Sequence, residues 1–210
     1  MIIAIDGPAA AGKGTLARQL ADHFDFALLD TGLIYRAVGM KLIHANANLE
    51  DIDVAIRTAR GLKPDDLKAI DLRTDVAADA ASRISAIPEV RAALIDFQRS
   101  FAVNPPENKN GSILDGRDIG TIVCPEAKVK LFITARSEVR AERRYLELRE
   151  RGLDAIYGRV LTEMKERDAR DSARTVSPLI PAKDAFLLDT SNLAAEEVFF
   201  TALDFVKKNQ

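Results

Sequence analysis

The chain has 210 residues, 47% of them hydrophobic and 30% charged, with a formal net charge of −2 at pH 7. That balance fits one globular domain and excludes a general attraction to nucleic acid or another polyanion. The lone cysteine, Cys124, can build neither a disulfide framework nor a thiolate metal site, which suits a reducing cytoplasm.

The apolar run Ile2–Ile5 is rich in β-branched residues and ends at Asp6-Gly7, which predicts a buried strand. No basic residue precedes it, and Asp6 breaks it early, so a signal peptide is not expected. No apolar stretch approaches the ~20 residues that span a bilayer, so no membrane partner is expected either. Residues 7–14 are small and Gly-rich and lead into a helical pattern over Thr15–His23. Four more short apolar runs predict strands, at Ala27–Asp30, Ser112–Asp115, Val129–Thr134 and Phe186–Asp189, with helical patterns between or after them. The chain therefore reads as α/β with a parallel sheet flanked by helices. Two stretches sit outside the core of about 1–35, 109–135 and 175–210. Residues 36–108 hold helical patterns and a charged, poorly periodic middle from about Glu50 to Asp79. Residues 136–174 are dense in charge, with Ser137 as a predicted N-cap and Gly152 as a helix stop. Both read as insertions into a single domain.

Gly7-Pro8-Ala9-Ala10-Ala11-Gly12-Lys13-Gly14-Thr15 follows a strand and opens a helix, the context a phosphate-binding loop requires. Small residues let backbone amides and a helix N-terminus approach phosphate, and Lys13 adds a mobile cation. The general pattern has Ser or Thr directly after the lysine; here Gly14 intervenes and the hydroxyl is that of Thr15.

Asp30-Thr31-Gly32-Leu33-Ile34-Tyr35-Arg36 begins at the end of the second strand, and Asp115-Gly116-Arg117-Asp118-Ile119-Gly120 at the end of the third. Ligands of open α/β sheets bind at these carboxyl ends, so Arg36 and Arg117 can converge near Lys13 as bidentate phosphate contacts. Arg36 reads equally well as a solvated arginine; the setting of Arg117, between glycines and aspartates, favours function. Residues 136–174 carry ten of the nineteen arginines but nine acids as well, so the segment is not a one-signed nucleic-acid patch. Most of these arginines read as solvated helix faces. Arg167, Arg170, Asp171 and Arg174 share one helical face, which on spacing alone reads as a salt-bridged surface stripe.

His23 and His44 are the only histidines and fall at the ends of predicted helices, away from the motifs; no histidine metal site and no nucleophile–histidine pair is visible. Transfer onto a phosphate would need neither, because a phosphate monoester with a second pKa near ~6 is already ionised at neutral pH. Such a site must instead align two anions and neutralise their charge.

Residues Ile5–Thr15, Leu28–Val38, Asp115–Ala127, Ala141–Leu148 and Glu166–Ser191 resemble the bacterial cytidylate kinases. The resemblance runs through nearly the whole chain. Its most specific parts are Asp115-Gly116-Arg117-Asp118 and Arg167-Asp168-Ala169-Arg170-Asp171-Ser172-Ala173-Arg174. It implies a P-loop kinase core with a five-stranded parallel sheet, a substrate-binding insertion over 36–108 and a mobile lid over 136–174. It further implies a cytoplasmic monomer that transfers the γ-phosphate of ATP to CMP or dCMP with Mg2+. On the same basis Gly7–Thr15 bind ATP, Lys13, Arg36 and Arg117 are catalytic, and Arg36 and Arg117 hold the CMP phosphate. Ser82, Arg91 and Asp118 read cytosine, Arg167 and Asp171 hold the sugar, and Arg174 lies at the same site. By composition alone, Ser82 and Arg91 read as ordinary helix-surface residues. Between about Glu50 and Asp79 the chain is shorter than the best-known members, which carry a small sheet there.

Overall fold

A computed structural model describes residues 1–209. Five strands form one sheet: β1 (Ile2–Asp6), β2 (Ala27–Asp30), β3 (Ser112–Gly116), β4 (Val129–Thr134) and β5 (Phe186–Asp189). Their order is β2-β3-β1-β4-β5 and every pairing is parallel. The run Ile2–Ile5, apolar on both faces, occupies the central strand. Ala4 packs into the core on one side of the sheet, and Ile3 and Ile5 into the core on the other. Fully burying an isoleucine stabilises by roughly 1.5–3 kcal/mol, so Ile5→Ala would be costly.

Eight α-helices surround the sheet: α1 (Lys13–Phe24), α2 (Thr31–His44), α3 (Ile52–Arg60), α4 (Asp75–Ile84), α5 (Pro88–Val103), α6 (Ser137–Glu150), α7 (Tyr157–Ser172) and α8 (Ala195–Lys208). Helices α1 and α8 cover one face through Leu16, Leu20, Ala202 and Val206. Helices α2 to α5 build the other layer around Ile34, Val38, Ile84 and Leu94. A Cβ at Gly39 would lie 2.7 Å from the Ala80 Cβ, so glycine there sets how closely α2 and α4 approach. Helices α6 and α7 pair through Ala141, Leu148, Val160 and Met164.

The charged stretch from Glu50 to Asp79 contains α3 and two 3-10 turns, Pro64–Lys68 and Ile70–Arg73, and no strand. One expectation of the sequence is corrected. Ser137 is the first residue of α6, Arg136 is the N-cap, and no side chain caps that end. The Ser137 hydroxyl instead accepts from Arg140 Nη2 at 3.1 Å. Gly152 does stop α6, at φ +75°.

Candidate active site

Strands β1, β2 and β3 all deliver their carboxyl ends to one edge of the sheet. At the end of β1 the chain turns through Gly7, whose φ is +143° and whose Cβ, if present, would lie 1.9 Å from the Ile133 carbonyl oxygen. Gly12 caps α1 with φ +96°, and no acidic residue of the helix itself occupies its first turn, which leaves the amides at that end open to an anion. Lys13 is only 6% exposed. Its Nζ donates to the Pro8 carbonyl at 2.9 Å and lies 3.8 Å from Asp115 Oδ1. Burial, then the charge of Arg117, push its pKa below the usual lysine range, while burial raises that of Asp115. The loop thus holds its own cation in reserve, and a bound anion would restore the full charge of Lys13.

A second cluster lies beside it. Arg117 Nε donates to Asp171 Oδ2 at 3.2 Å and Nη1 to the Gly116 carbonyl at 3.1 Å. Arg174 donates to the other oxygen of Asp171, and to Ser85 Oγ at 2.8 Å. Burial of Asp171 disfavours its charge, but Arg117, Arg174 and Arg167 outweigh that and hold its pKa below the usual carboxylate range. Arg91 Nη2 donates to Asp118 Oδ2 at 2.5 Å, Nη1 to the Ser85 carbonyl at 3.1 Å, and the guanidinium stands 5.3 Å over the Tyr35 ring. Arg36 donates to the Leu72 carbonyl at 2.8 Å.

Buried polar atoms without a hydrogen-bond partner, among the described residues, are Ser82 Oγ, Arg91 Nε, Arg167 Nε, Arg174 Nε and Asp168 Oδ1. All but the last belong to residues singled out as an acceptor site. A buried polar group without a protein partner asks for one, and these atoms cluster where a polar ligand or water could supply it. Burial and then the nearby Arg117 lower the Arg167 pKa to about 10, with Arg36 and Arg174 adding to the repulsion. A crowd of guanidinium groups this poorly balanced favours an anion among them.

The structure brings Lys13, Arg117, Asp118, Ser82, Arg91, Asp171 and Arg174 into this connected region, with Arg36 and Arg167 electrostatically coupled to it. Arg170 is set apart: it is exposed and lies 3.9 Å from Asp79. Arg174 follows the end of α7 rather than lying on it. Ser82 and Arg91 are buried, against the surface placement their composition suggested.

Several contributors escaped the sequence reading. Thr31 Oγ1 donates to the Asp115 carbonyl at 2.8 Å, joining β2 to β3 at the site. Ser85 joins Arg91 to Arg174, and nothing in its local pattern distinguishes it. Beyond the glycine-rich loop lies a cavity of about 330 Å³ lined by Ala11, Gly12, Thr15, Leu16, Arg143 and Thr190, among others. Arg143 donates to the Thr190 carbonyl at 2.7 Å, and Thr190 Oγ1 donates to the Ala11 carbonyl at 3.0 Å. A larger cavity, about 430 Å³, lies between α2 and residues 65–72 and contains none of the candidate residues; size alone does not decide function.

Asp6 clamps the two halves of the site. Its carboxylate accepts from the Ile119 amide at 2.8 Å and the Gly120 amide at 2.7 Å, fixing the turn that follows Asp118. Burial raises its pKa to about 7 despite those bonds.

A family model described as cytidylate kinase matches residues 3–208. A cytidylate kinase of Paramagnetospirillum magneticum is 64% identical, over 98% of this chain and 97% of its own. That of Rhodospirillum rubrum is 57% identical over 98% and 97%. A solved structure of an uncharacterized protein from Eubacterium ventriosum superposes with a TM-score of 0.55 at 14% identity, covering 99% of this chain and 98% of that one, a likeness of fold alone.

Proposed function

We infer the reaction from the family: this chain belongs to the cytidylate kinases, and it is an ATP-dependent phosphotransferase that converts CMP and dCMP to their diphosphates. The observation that carries the residue-level reading is the coincidence of buried, unpartnered polar atoms with the acceptor residues Ser82, Arg91, Arg167 and Arg174.

Gly7–Thr15 cradle the ATP phosphates, and Lys13 leaves the Pro8 carbonyl to neutralise the transferring group. The adjacent cavity at Arg143 and Thr190 has the size and lining for the donor's nucleoside. Arg36 and Arg117 hold the CMP phosphate. Arg167 and Asp171 meet the sugar beside it, with Arg174 holding Asp171. Asp118, Arg91 and Ser82 read cytosine: its N4 amino group donates where uracil has an acceptor, and a carboxylate can only accept. No general base is required, because the attacking phosphate oxygen is already ionised.

The donor set suits magnesium. Thr15 is exposed at the mouth of the loop, and a Cβ on Gly14 would lie 3.5 Å from Asp115 Oδ2, so two hard oxygen groups border the place of the phosphates. Few protein oxygens are what Mg2+ uses when phosphates and water complete its shell. Thr15 and Asp115 would hold it, and bound there it supplies charge neutralisation on the donor phosphates.

Residues 36–108 form the acceptor-binding insertion and 136–174 the lid of one kinase domain. The enzyme works as a cytoplasmic monomer, with the nucleotides as its partners and no part for nucleic acid or membrane. A panel of acceptors tests the reading: CMP and dCMP should be phosphorylated well ahead of UMP, AMP and shikimate. A preference for any of the latter three would refute the base-reading assignment.

A further inference from the structure

Arg140 was one of ten arginines in a charge-dense segment, expected at a solvated helix face. It is instead 4% exposed. Its guanidinium meets four acceptors on three pieces of the molecule: the junction of β4 with its own helix, the glycine-rich loop and α7. Nε donates to the Ala135 carbonyl at 2.8 Å, at the end of β4. Nη1 donates to the Ala9 carbonyl at 3.3 Å, inside the glycine-rich loop. Nη2 donates to Ser137 Oγ at 3.1 Å and to Asp168 Oδ2 at 2.6 Å. Asp168 directly follows Arg167 on α7, the helix that also carries Asp171.

Taking a guanidinium out of water costs several kcal/mol unless a counter-charge and further acceptors meet it. Asp168 is the counter-charge, and two carbonyls and a hydroxyl are the further acceptors. The planar fork of arginine permits this; a lysine ammonium is a point charge and cannot reach four acceptors in the same plane. The contacts also single out where the group acts. One arm holds the backbone that cradles the donor phosphates, and the other holds the helix whose side chains face the acceptor. No other side chain among the described residues joins Ala9 to α7 by direct hydrogen bonds.

We propose that Arg140 is a positioning residue that sets the register between the donor loop and the acceptor helix α7. The proposal rests on the kinase reading above. In-line transfer requires the attacking oxygen and the phosphorus to be aligned before reaction, and a misplacement of about 1 Å costs about a hundredfold in rate. Arg140 touches neither nucleotide; it acts through Ala9 and Asp168.

The test is steady-state kinetics of Arg140→Lys and Asp168→Asn with ATP, Mg2+ and CMP, alongside thermal unfolding. Arg140→Lys keeps the charge and loses the fork. Asp168→Asn keeps Arg140 and its neutral acceptors and loses the ion pair. Both should lower kcat by about tenfold to a hundredfold while the KM for each nucleotide stays near the wild-type value, because each half-site persists and only their alignment is lost. A purely structural arginine would lower the unfolding temperature and leave the kcat of the folded enzyme unchanged, and that result would overturn the proposal. So would a loss confined to the KM of one nucleotide, or failure of both variants to fold. An inactive wild-type chain would instead refute the kinase reading itself, so the two failures are distinguishable.

Discussion

Arg91 and Asp118 meet at 2.5 Å with both side chains buried, so the two charged groups proposed to read cytosine hold each other before any base arrives. Asp118 is therefore not engaged in orienting its neighbour Arg117, whose carboxylate partner is Asp171. Asp118→Asn retains one oxygen and gains a donor. It should lower CMP turnover by about ten- to a hundredfold, the equivalent of one poorly met buried group, and narrow the CMP/UMP ratio. Parallel loss on both nucleotides at a constant ratio would leave base reading to Ser82 and Arg91.

Lys13 donates to the Pro8 carbonyl and forms a buried salt bridge with Asp115 at 3.8 Å. Replacing it by alanine removes the cation proposed to neutralise the transferring phosphoryl group. Turnover of Lys13→Ala should fall by about two to three orders of magnitude with the far-ultraviolet circular dichroism unchanged. Near-normal turnover would remove Lys13 from the mechanism.

Asp171 is the carboxylate shared by Arg117 and Arg174. Asp171→Ala should raise the KM for CMP by about tenfold or more and leave that for ATP close to wild type, since it takes the shared carboxylate from two part-buried guanidinium groups proposed to serve the acceptor. Equal effects on both nucleotides, measured by varying each at saturation of the other, would point to general disruption.

Asp6 gives a pH signature. Its pKa in the folded chain is raised from 3.8 to about 7, chiefly by burial. A raised carboxyl favours the folded state in its protonated form, so this contribution is full below pH ~4 and is lost as pH rises through about 7. Asp6→Asn cannot ionise and escapes that loss. The stability of the variant relative to wild type, from urea unfolding at pH 5 and pH 8, should therefore be more favourable at pH 8. A difference independent of pH would show that Asp6 keeps an ordinary pKa.

The strands were legible because each is a short apolar run ended by a polar or small residue; β2, β4 and β5 fall at the predicted bounds, and β1 and β3 run one residue further. The loop Gly7–Thr15 was legible because small residues fall between a strand and a helix, and the structure has β1 and α1 on either side of that turn. The roles proposed for Arg167, Asp171 and Arg174 were not legible from spacing, which cannot distinguish a helical stripe facing water from one facing a cleft; they rest on the family resemblance. Arg140, Arg143 and Thr190 were missed for a related reason. Their partners are carbonyls and side chains far along the chain, such as Ala9 and Ala11, and no local pattern encodes those meetings. Ser137 was misassigned because its hydroxyl serves Arg140, a tertiary contact that outcompetes the cap.

Helix α6 already touches the α4 side of the cleft: Arg144 pairs with Asp75, and Arg151, the C-cap of α6, donates to the Arg73 carbonyl at 3.1 Å. A partly exposed ion pair and a single hydrogen bond contribute little, about 1 kcal/mol each, so the contact can open and close. Amide hydrogen exchange over 136–174 should slow when both nucleotides are bound and change less with either alone. Unchanged exchange at confirmed saturation would mean that the segment is not a lid.

The most direct measurement is ADP formation by the purified chain with ATP and Mg2+, in the presence and absence of CMP. The account predicts ADP release that is negligible without CMP and stoichiometric with CDP when CMP is added, since the acceptor cluster must be filled before transfer can occur. ADP released at the same rate without CMP, or no CDP formed with it, would contradict it.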